Sequence, residues 1–199
     1  MLLNDARVLI FEDFVRNYSV QLTGSYIARK KKLNQKSVAN VLKEFERDGF
    51  LKSTIEGKNK LYSLNLDDTQ MAVHFICVLE QMRTVNFYKK NVFIKEIVSK
   101  ILPYFKGIVI IFGSYAKGIA KKDSDLDVFV AGKYDGDSIE KVSKIYKLDI
   151  NVKNYPEALF RKALSRRDPF IEEIMSGHII VKNTQDFVLS ARRFRYGND

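Results

Sequence analysis

The sequence predicts an α/β (α+β) protein in two parts, and three observations carry that expectation. Helical periodicity fills the first 48 residues and then gives way to a pair of short strands. From about residue 91 onward, helix and strand patterns alternate. The length of 199 residues allows one ordinary domain or two small ones, and 46% hydrophobic with 29% charged residues is the mix of a folded chain.

Taken in order, residues 5–17 carry Val8, Leu9, Phe11, Phe14 and Val15 at helical spacing. Residues 23–33 read as a second short helix opened by Thr23-Gly24-Ser25. A third spans 35–48, with Val38, Val41, Leu42 and Phe45 on one face, Asn34 as its N-cap and Gly49 as its stop. Residues 50–55 and 60–64 form a β-hairpin around a four-residue polar tip, Glu56-Gly57-Lys58-Asn59. Three helices followed by a hairpin in about 65 residues is the order of a winged helix-turn-helix. A helix over 67–90, with Met71, Phe75, Cys77, Val78 and Met82 as its apolar face, links this segment to the rest. The expected division is therefore 1–66, 67–90 and 91–199. Within the last segment, helices are expected at 91–103, 137–146, 156–165, 168–176 and 184–195, and strands at 107–113, 125–131 and 147–154.

Several classes drop out. The richest apolar stretches, 71–79 and 108–112, fall well short of the roughly 18 residues of a membrane span, so no membrane partner is expected. The opening Met-Leu-Leu-Asn-Asp lacks the basic and apolar regions of a signal peptide. The single Cys77 reads as a buried thiol in a reducing cytoplasm, and one Cys with His74 and His178 far apart argues against structural zinc.

A net charge of +10 points to a polyanionic partner. Residues 1–66 hold 12 basic and 7 acidic side chains and residues 67–199 hold 22 and 17, so the shorter part carries about twice the charge density. On the third helix, Gln35, Lys36, Ser37, Asn40 and Lys43 occupy the non-apolar face. Gln and Asn can pair bidentately with adenine, and Lys reaches guanine or phosphate. Lys58 and Lys60 at the hairpin tip, and the run Arg29-Lys30-Lys31-Lys32, suit duplex phosphates. Taken alone, such a run is a solvated helix end. Its place between the two helices of the motif gives it more weight. The passage Val41-Leu42-Lys43-Glu44-Phe45-Glu46-Arg47-Asp48-Gly49-Phe50-Leu51 resembles the winged-helix transcription regulators, which implies double-stranded DNA as partner; winged helices also serve as protein-interaction modules.

The second part holds a different chemistry. Ile108-Val109-Ile110-Ile111-Phe112 reads as a strand buried on both faces and runs into Gly113-Ser114-Tyr115-Ala116-Lys117-Gly118. Gly113 permits close backbone approach to a ligand, and the Ser114 hydroxyl with the helix start behind it offers donors to phosphate oxygens. After ten intervening residues, Asp125-Leu126-Asp127 opens another strand, and period-2 geometry sets both carboxylates on one face. Two like charges there call for a cation, and hard oxygen donors suit Mg²⁺ or Mn²⁺ shared with substrate phosphates. Asp149, flanked by Leu148 and Ile150, is a third candidate. Asp123, Asp135 and Asp137 read as surface residues or strand terminators.

Gly113-Ser114-Tyr115-Ala116-Lys117-Gly118 with Asp123-Ser124-Asp125-Leu126-Asp127-Val128 resembles the DNA polymerase β-type nucleotidyltransferase superfamily, in its minimal branch, over about 91–185. The resemblance implies that Gly113 and Ser114 hold a nucleoside triphosphate and that Asp125 and Asp127 bind metal. Asp149 would contribute to one metal and help activate the acceptor hydroxyl. Lys117 stands where Arg is common; it keeps the charge and loses the bidentate fork. Transfer of AMP from ATP is implied. That branch includes antibiotic nucleotidyltransferases and antitoxins that modify or block a HEPN-type toxin, so a HEPN-type protein partner is a further implication. A regulator that binds nucleotide without turnover is the competing reading. The 67–90 helix could pair two copies into a homodimer or pack internally, and both readings stay open.

Overall fold

The computed structural model describes residues 5–66 and 70–196, with side chains over 6–66 and 70–191. The parts of the expected segments that fall on 1–4, 67–69 and 197–199 lie outside the described residues. The architecture is α/β (α+β), with ten α-helices and two small sheets among the described residues. The chain divides into two compact units, Met1–Leu79 and Glu80–Asp199. No described helix is long and apolar enough to cross a membrane.

The first unit contains α1 (Asp5–Arg16), β1 (Leu22–Thr23), α2 (Gly24–Lys31), α3 (Gln35–Arg47), β2 (Leu51–Glu56) and β3 (Asn59–Leu64). It also contains the first half of α4 (Gln70–Lys90). Thr23 Oγ1 caps α2 by accepting from the Tyr26 N–H at 3.2 Å, and Asn34 Oδ1 caps α3 by accepting from the Ser37 N–H at 3.1 Å. The strands form an antiparallel sheet in the order β1-β3-β2. Glu56 pairs with Asn59, so the hairpin tip is the two residues Gly57-Lys58 rather than four. Gly57, at φ +59°, takes the left-handed conformation that so short a turn demands.

Aromatic rings fill this core. Phe75 of α4 stacks on Phe50 at 4.2 Å and meets Phe11 edge-on at 5.1 Å, while Phe11 meets Phe45 at 4.5 Å. The buried stripe of α4 in this unit is Ala72, Val73, Phe75, Ile76 and Leu79. Met71 and Val78 are exposed, and Cys77 and Met82 are half-buried. The face expected from the sequence is therefore rotated. The helix is apolar on most sides here, so periodicity could not choose a face; the fit of Phe75 among three other rings does.

The second unit continues with α5 (Val92–Ile101), a 3₁₀ turn (Leu102–Tyr104), β4 (Phe105–Ile111), α6 (Gly113–Lys117) and β5 (Leu126–Tyr134). There follow α7 (Gly136–Tyr146), β6 (Ile150–Tyr155), α8 (Glu157–Ser165), α9 (Pro169–Ser176), β7 (Ile179–Lys182) and α10 (Thr184–Tyr196). The sheet order is β6-β5-β4-β7; β5 and β6 are parallel and the other pairs antiparallel. Leu126, Val128 and Val130 point to one face and join Ile94, Ile97, Val98, Ile139 and Val142 from α5 and α7. Phe129 points the other way and packs against Phe160 of α8 and Phe170 of α9, at 5.5 and 5.8 Å.

Two features of this sheet have no local sequence signal. Gly107 and Gly132 face each other across β4 and β5 at φ +106° and +153°, and a Cβ on either would collide with the other strand's backbone. Strand β7 is a four-residue edge strand, and α4 satisfies part of its outer row of carbonyls. Arg83 Nη2 donates to the His178 carbonyl at 2.8 Å and Thr84 Oγ1 to that of Ile180 at 2.8 Å. Behind them His178 and Glu80 are fully buried, with Nε2 3.0 Å from Oε1, and Arg83 Nη1 donates to Glu80 Oε2 at 2.6 Å.

Candidate functional site

The carboxylates gather at the end of the sheet where β5 and β6 begin. Asp125 immediately precedes β5 and Asp127 is its second residue; the former is exposed and the latter half-buried. Their i, i+2 spacing sets both on the Phe129 face, above the ring cluster. Parallel pairing matches Asp127 with Asn151, and the Leu126 N–H donates to the Asp149 carbonyl at 2.8 Å. Asp149 thus stands beside Asp125 at the mouth, just ahead of β6, and is exposed. The neighbour of Asp127 is an amide: Asn151 Nδ2 donates to Asp125 Oδ2 at 3.1 Å.

The Gly-Ser turn arrives from β4. Phe112 crosses to β5 by donating its N–H to the Asp127 carbonyl at 3.1 Å, and Gly113 begins α6 at φ +69°. A Cβ at 113 would clash with Asp127 Oδ2. Glycine is thus needed twice there, for the backbone angle and for the carboxylate against it. Ser114 and Lys117 lie on this short helix, which ends at Gly118 with φ +72°. Lys117 Nζ forms an ion pair with Glu173 Oε1 of α9 at 3.0 Å.

The electrostatics centre on Asp127. Burial pushes its carboxyl above the ordinary range, and the charges of Asp125 and Glu173 push the same way. A hydrogen bond from Asn151 and the charge of Lys153 oppose them without cancelling the rise. Around Asp127 the site thus carries an excess of negative charge. Among the described residues no three His, Cys, Asp or Glu side chains converge as a ready-made metal cluster. Two carboxylates with an adjoining amide still offer the hard oxygen donors that Mg²⁺ or Mn²⁺ prefers, with further coordination positions left for phosphate or water. The residues present fit such a cation.

Sequence reasoning missed Asn151 and Glu173. Asn151 had a signal, since it lies two residues beyond Asp149 and so on the same strand face. Glu173 had none, because its approach depends on how α9 folds back over the sheet.

The basic face of the first unit is a separate surface. Gln35, Lys36, Ser37, Asn40 and Lys43 are all exposed along α3, and Arg47, overlooked from sequence, extends the row. Lys58 is exposed at the hairpin tip. Lys60 is tied to Glu46 Oε2 at 2.7 Å, and Ser53 Oγ also donates to Glu46, so both hairpin strands are bound to α3. The basic run of α2 is less available than its sequence suggested. Lys30 and Lys31 both reach the buried Asp13 of α1, and Lys31 also pairs with Glu12.

A comparison with curated proteins finds no match. Among solved structures, a toxin–antitoxin crystal structure with AMP-PNP is 15% identical over 52% of this chain and 83% of that chain, with a TM-score of 0.34. TrmBL2, described as an archaeal chromatin protein with a novel mode of DNA binding, is also 15% identical. That alignment covers 88% of this chain and 73% of that one, at a TM-score of 0.29. Similarity at that level fixes neither fold nor function. A family model speaks more directly: residues 92–181, which hold the Gly-Ser turn, Asp125, Asp127 and Asp149, match the nucleotidyltransferase domain.

Proposed function

We propose that this is a DNA-binding protein whose nucleotidyltransferase domain transfers a nucleoside monophosphate, AMP from ATP, to a hydroxyl on an acceptor, in the manner of an antitoxin acting on a HEPN-type partner. The observation that carries the catalytic half is Gly113 seated against Asp127, with Asp125 beside it. The backbone and hydroxyl of Gly113-Ser114 donate to triphosphate oxygens, and Lys117 stands close enough to exchange Glu173 for phosphate. Asp125 and Asp127 hold the divalent cation, which neutralises triphosphate charge when bound. Asp149, open at the mouth, accepts the proton of the acceptor hydroxyl as its oxygen bonds to the α-phosphorus and pyrophosphate leaves. The protein contributes position and field, not covalent chemistry.

The test is transfer of label from α-labelled ATP with Mg²⁺ to a candidate acceptor. Label should move with the native protein and not with Asp125→Ala/Asp127→Ala. One observation favours nucleotide binding without turnover: an amide, not an acid, faces Asp127. Retained ATP binding with no transfer to any acceptor would select that reading.

The DNA-binding half is supported by the exposed row along α3 and the basic hairpin tip, read as a winged helix-turn-helix. Retention on duplex DNA should fall with rising salt and weaken in Lys36→Ala and Lys43→Ala. Salt-insensitive or absent binding would sink it.

A further inference from the structure

The proposal concerns Asn151 and rests on reading the carboxylate end of β5 as a divalent-cation site. Four polar side chains stand there in two ranks on one sheet face, Asp125 beside Asp149 and Asp127 beside Asn151. Ionised carboxylates only accept hydrogen bonds, so the amide must aim its NH₂ toward them. Its contact with Asp125 is 3.1 Å. Asn151 is also the residue directly paired with Asp127 across the β5–β6 ladder, and its amide favours the ionised form of that carboxyl. Bonded to one anion and paired in register with the other, the amide supplies in the cation-free protein part of the compensation a metal would give. An acid at 151 could not; ionised, it would add a further negative charge beside Asp127 and remove the amide donors.

We infer that Asn151 is a positioning residue that holds Asp125 and Asp127 together in the cation-free protein and keeps their affinity for free divalent cation low. Binding a cation then requires the amide to turn and present its oxygen, a neutral ligand in place of an anionic one. Retention of the metal consequently depends on the phosphate oxygens of a nucleotide more than it would with a carboxylate at 151. The site resists loading by bare metal and stays folded when empty.

The experiment compares the full-length native protein with Asn151→Asp, Asn151→Ala and Asn151→Ser, using Mn²⁺ without nucleotide. Free Mn²⁺ is followed by electron paramagnetic resonance, and thermal unfolding is measured with and without the ion. Asn151→Asp should bind bare Mn²⁺ about tenfold more tightly than native protein, the scale on which groups around a metal tune its affinity. It should also melt lower without metal and recover with it. Asn151→Ala and Asn151→Ser should melt lower without metal and gain no affinity. If Asn151→Asp gains no Mn²⁺ affinity, or all three variants melt like native protein, the inference is overturned. Should Asn151→Asp not fold even with Mn²⁺, unchanged melting of the Ala and Ser variants overturns it and lowered melting supports it. The underlying reading fails separately: Mn²⁺ binding with ATP present would then survive Asp125→Asn/Asp127→Asn or be absent from native protein.

Discussion

At Asp127 the protein keeps a charge where burial and two neighbouring acids oppose it. The folded-state carboxyl titrates above its ordinary value of 3.8. The folded state therefore binds more protons than the unfolded one between 3.8 and that raised value, and stability falls as pH rises through this window. The cost persists at neutral pH. Asp127→Asn should consequently raise the metal-free melting temperature at neutral pH, and the advantage should shrink as pH falls through the window. The same substitution should end Mn²⁺ binding; a variant less stable at every pH would refute the charge account. Gly113→Ala tests the partner of that carboxylate. A φ of +69° and the clash with Asp127 together predict a loss of more than about 1 kcal/mol, read by denaturant unfolding. The paired aspartates were legible in the sequence because alternation along one strand is local. Asn151 shared that local alternation with Asp149, but its pairing with Asp127 depends on strand register, and Glu173 depends on the return of α9, which no short window contains.

Among elements, the hairpin and α4 show what periodicity can and cannot supply. Helices α1, α3, α7, α8 and α9 lie within a residue or two of expectation because caps such as Asn34 and Asp168 announce themselves. Strand β7 was not foreseen, since four residues between two helices carry no period of their own and its partner β4 lies about 70 residues earlier. The face of α4 was misjudged for the reason given by its rings. Phe75→Ala should cost about 3–5 kcal/mol, the usual loss for a buried aromatic, while Met71→Gln should be nearly neutral by the same unfolding assay. The hairpin depends on charge instead. Lys60 and Ser53 hold Glu46 below its ordinary 4.5, so this contribution is complete above that value and disappears as pH falls through the lowered one. Protection of the β2 and β3 amides, taken relative to the intrinsic exchange rate at each pH, should therefore fall in acid, and Glu46→Gln should remove that fall.

For the whole molecule, the surplus of +10 resolves into charges with different employment. Lys30, Lys31 and Lys60 have carboxylate partners inside the first unit, whereas Lys36, Lys43 and Lys58 are exposed and have no carboxylate partner among the described residues. Replacing Lys36 should lower the salt slope of duplex binding by about 1, and replacing Lys30 should lower stability with little change in slope. Composition announced a polyanion; only folding says which lysines are available to meet one. Helix α4 carries a last consequence. Its Phe75 and Ile76 belong to one core, and its Glu80 and Phe87 to the other, on a single uninterrupted run of backbone hydrogen bonds. A cut after residue 66 takes Phe75 out of the head, and a cut before residue 91 takes Glu80, Arg83 and Phe87 out of the tail. Dissection at the boundaries suggested by sequence would yield two damaged fragments, so an inactive fragment would be evidence of a lost core, not of a missing function.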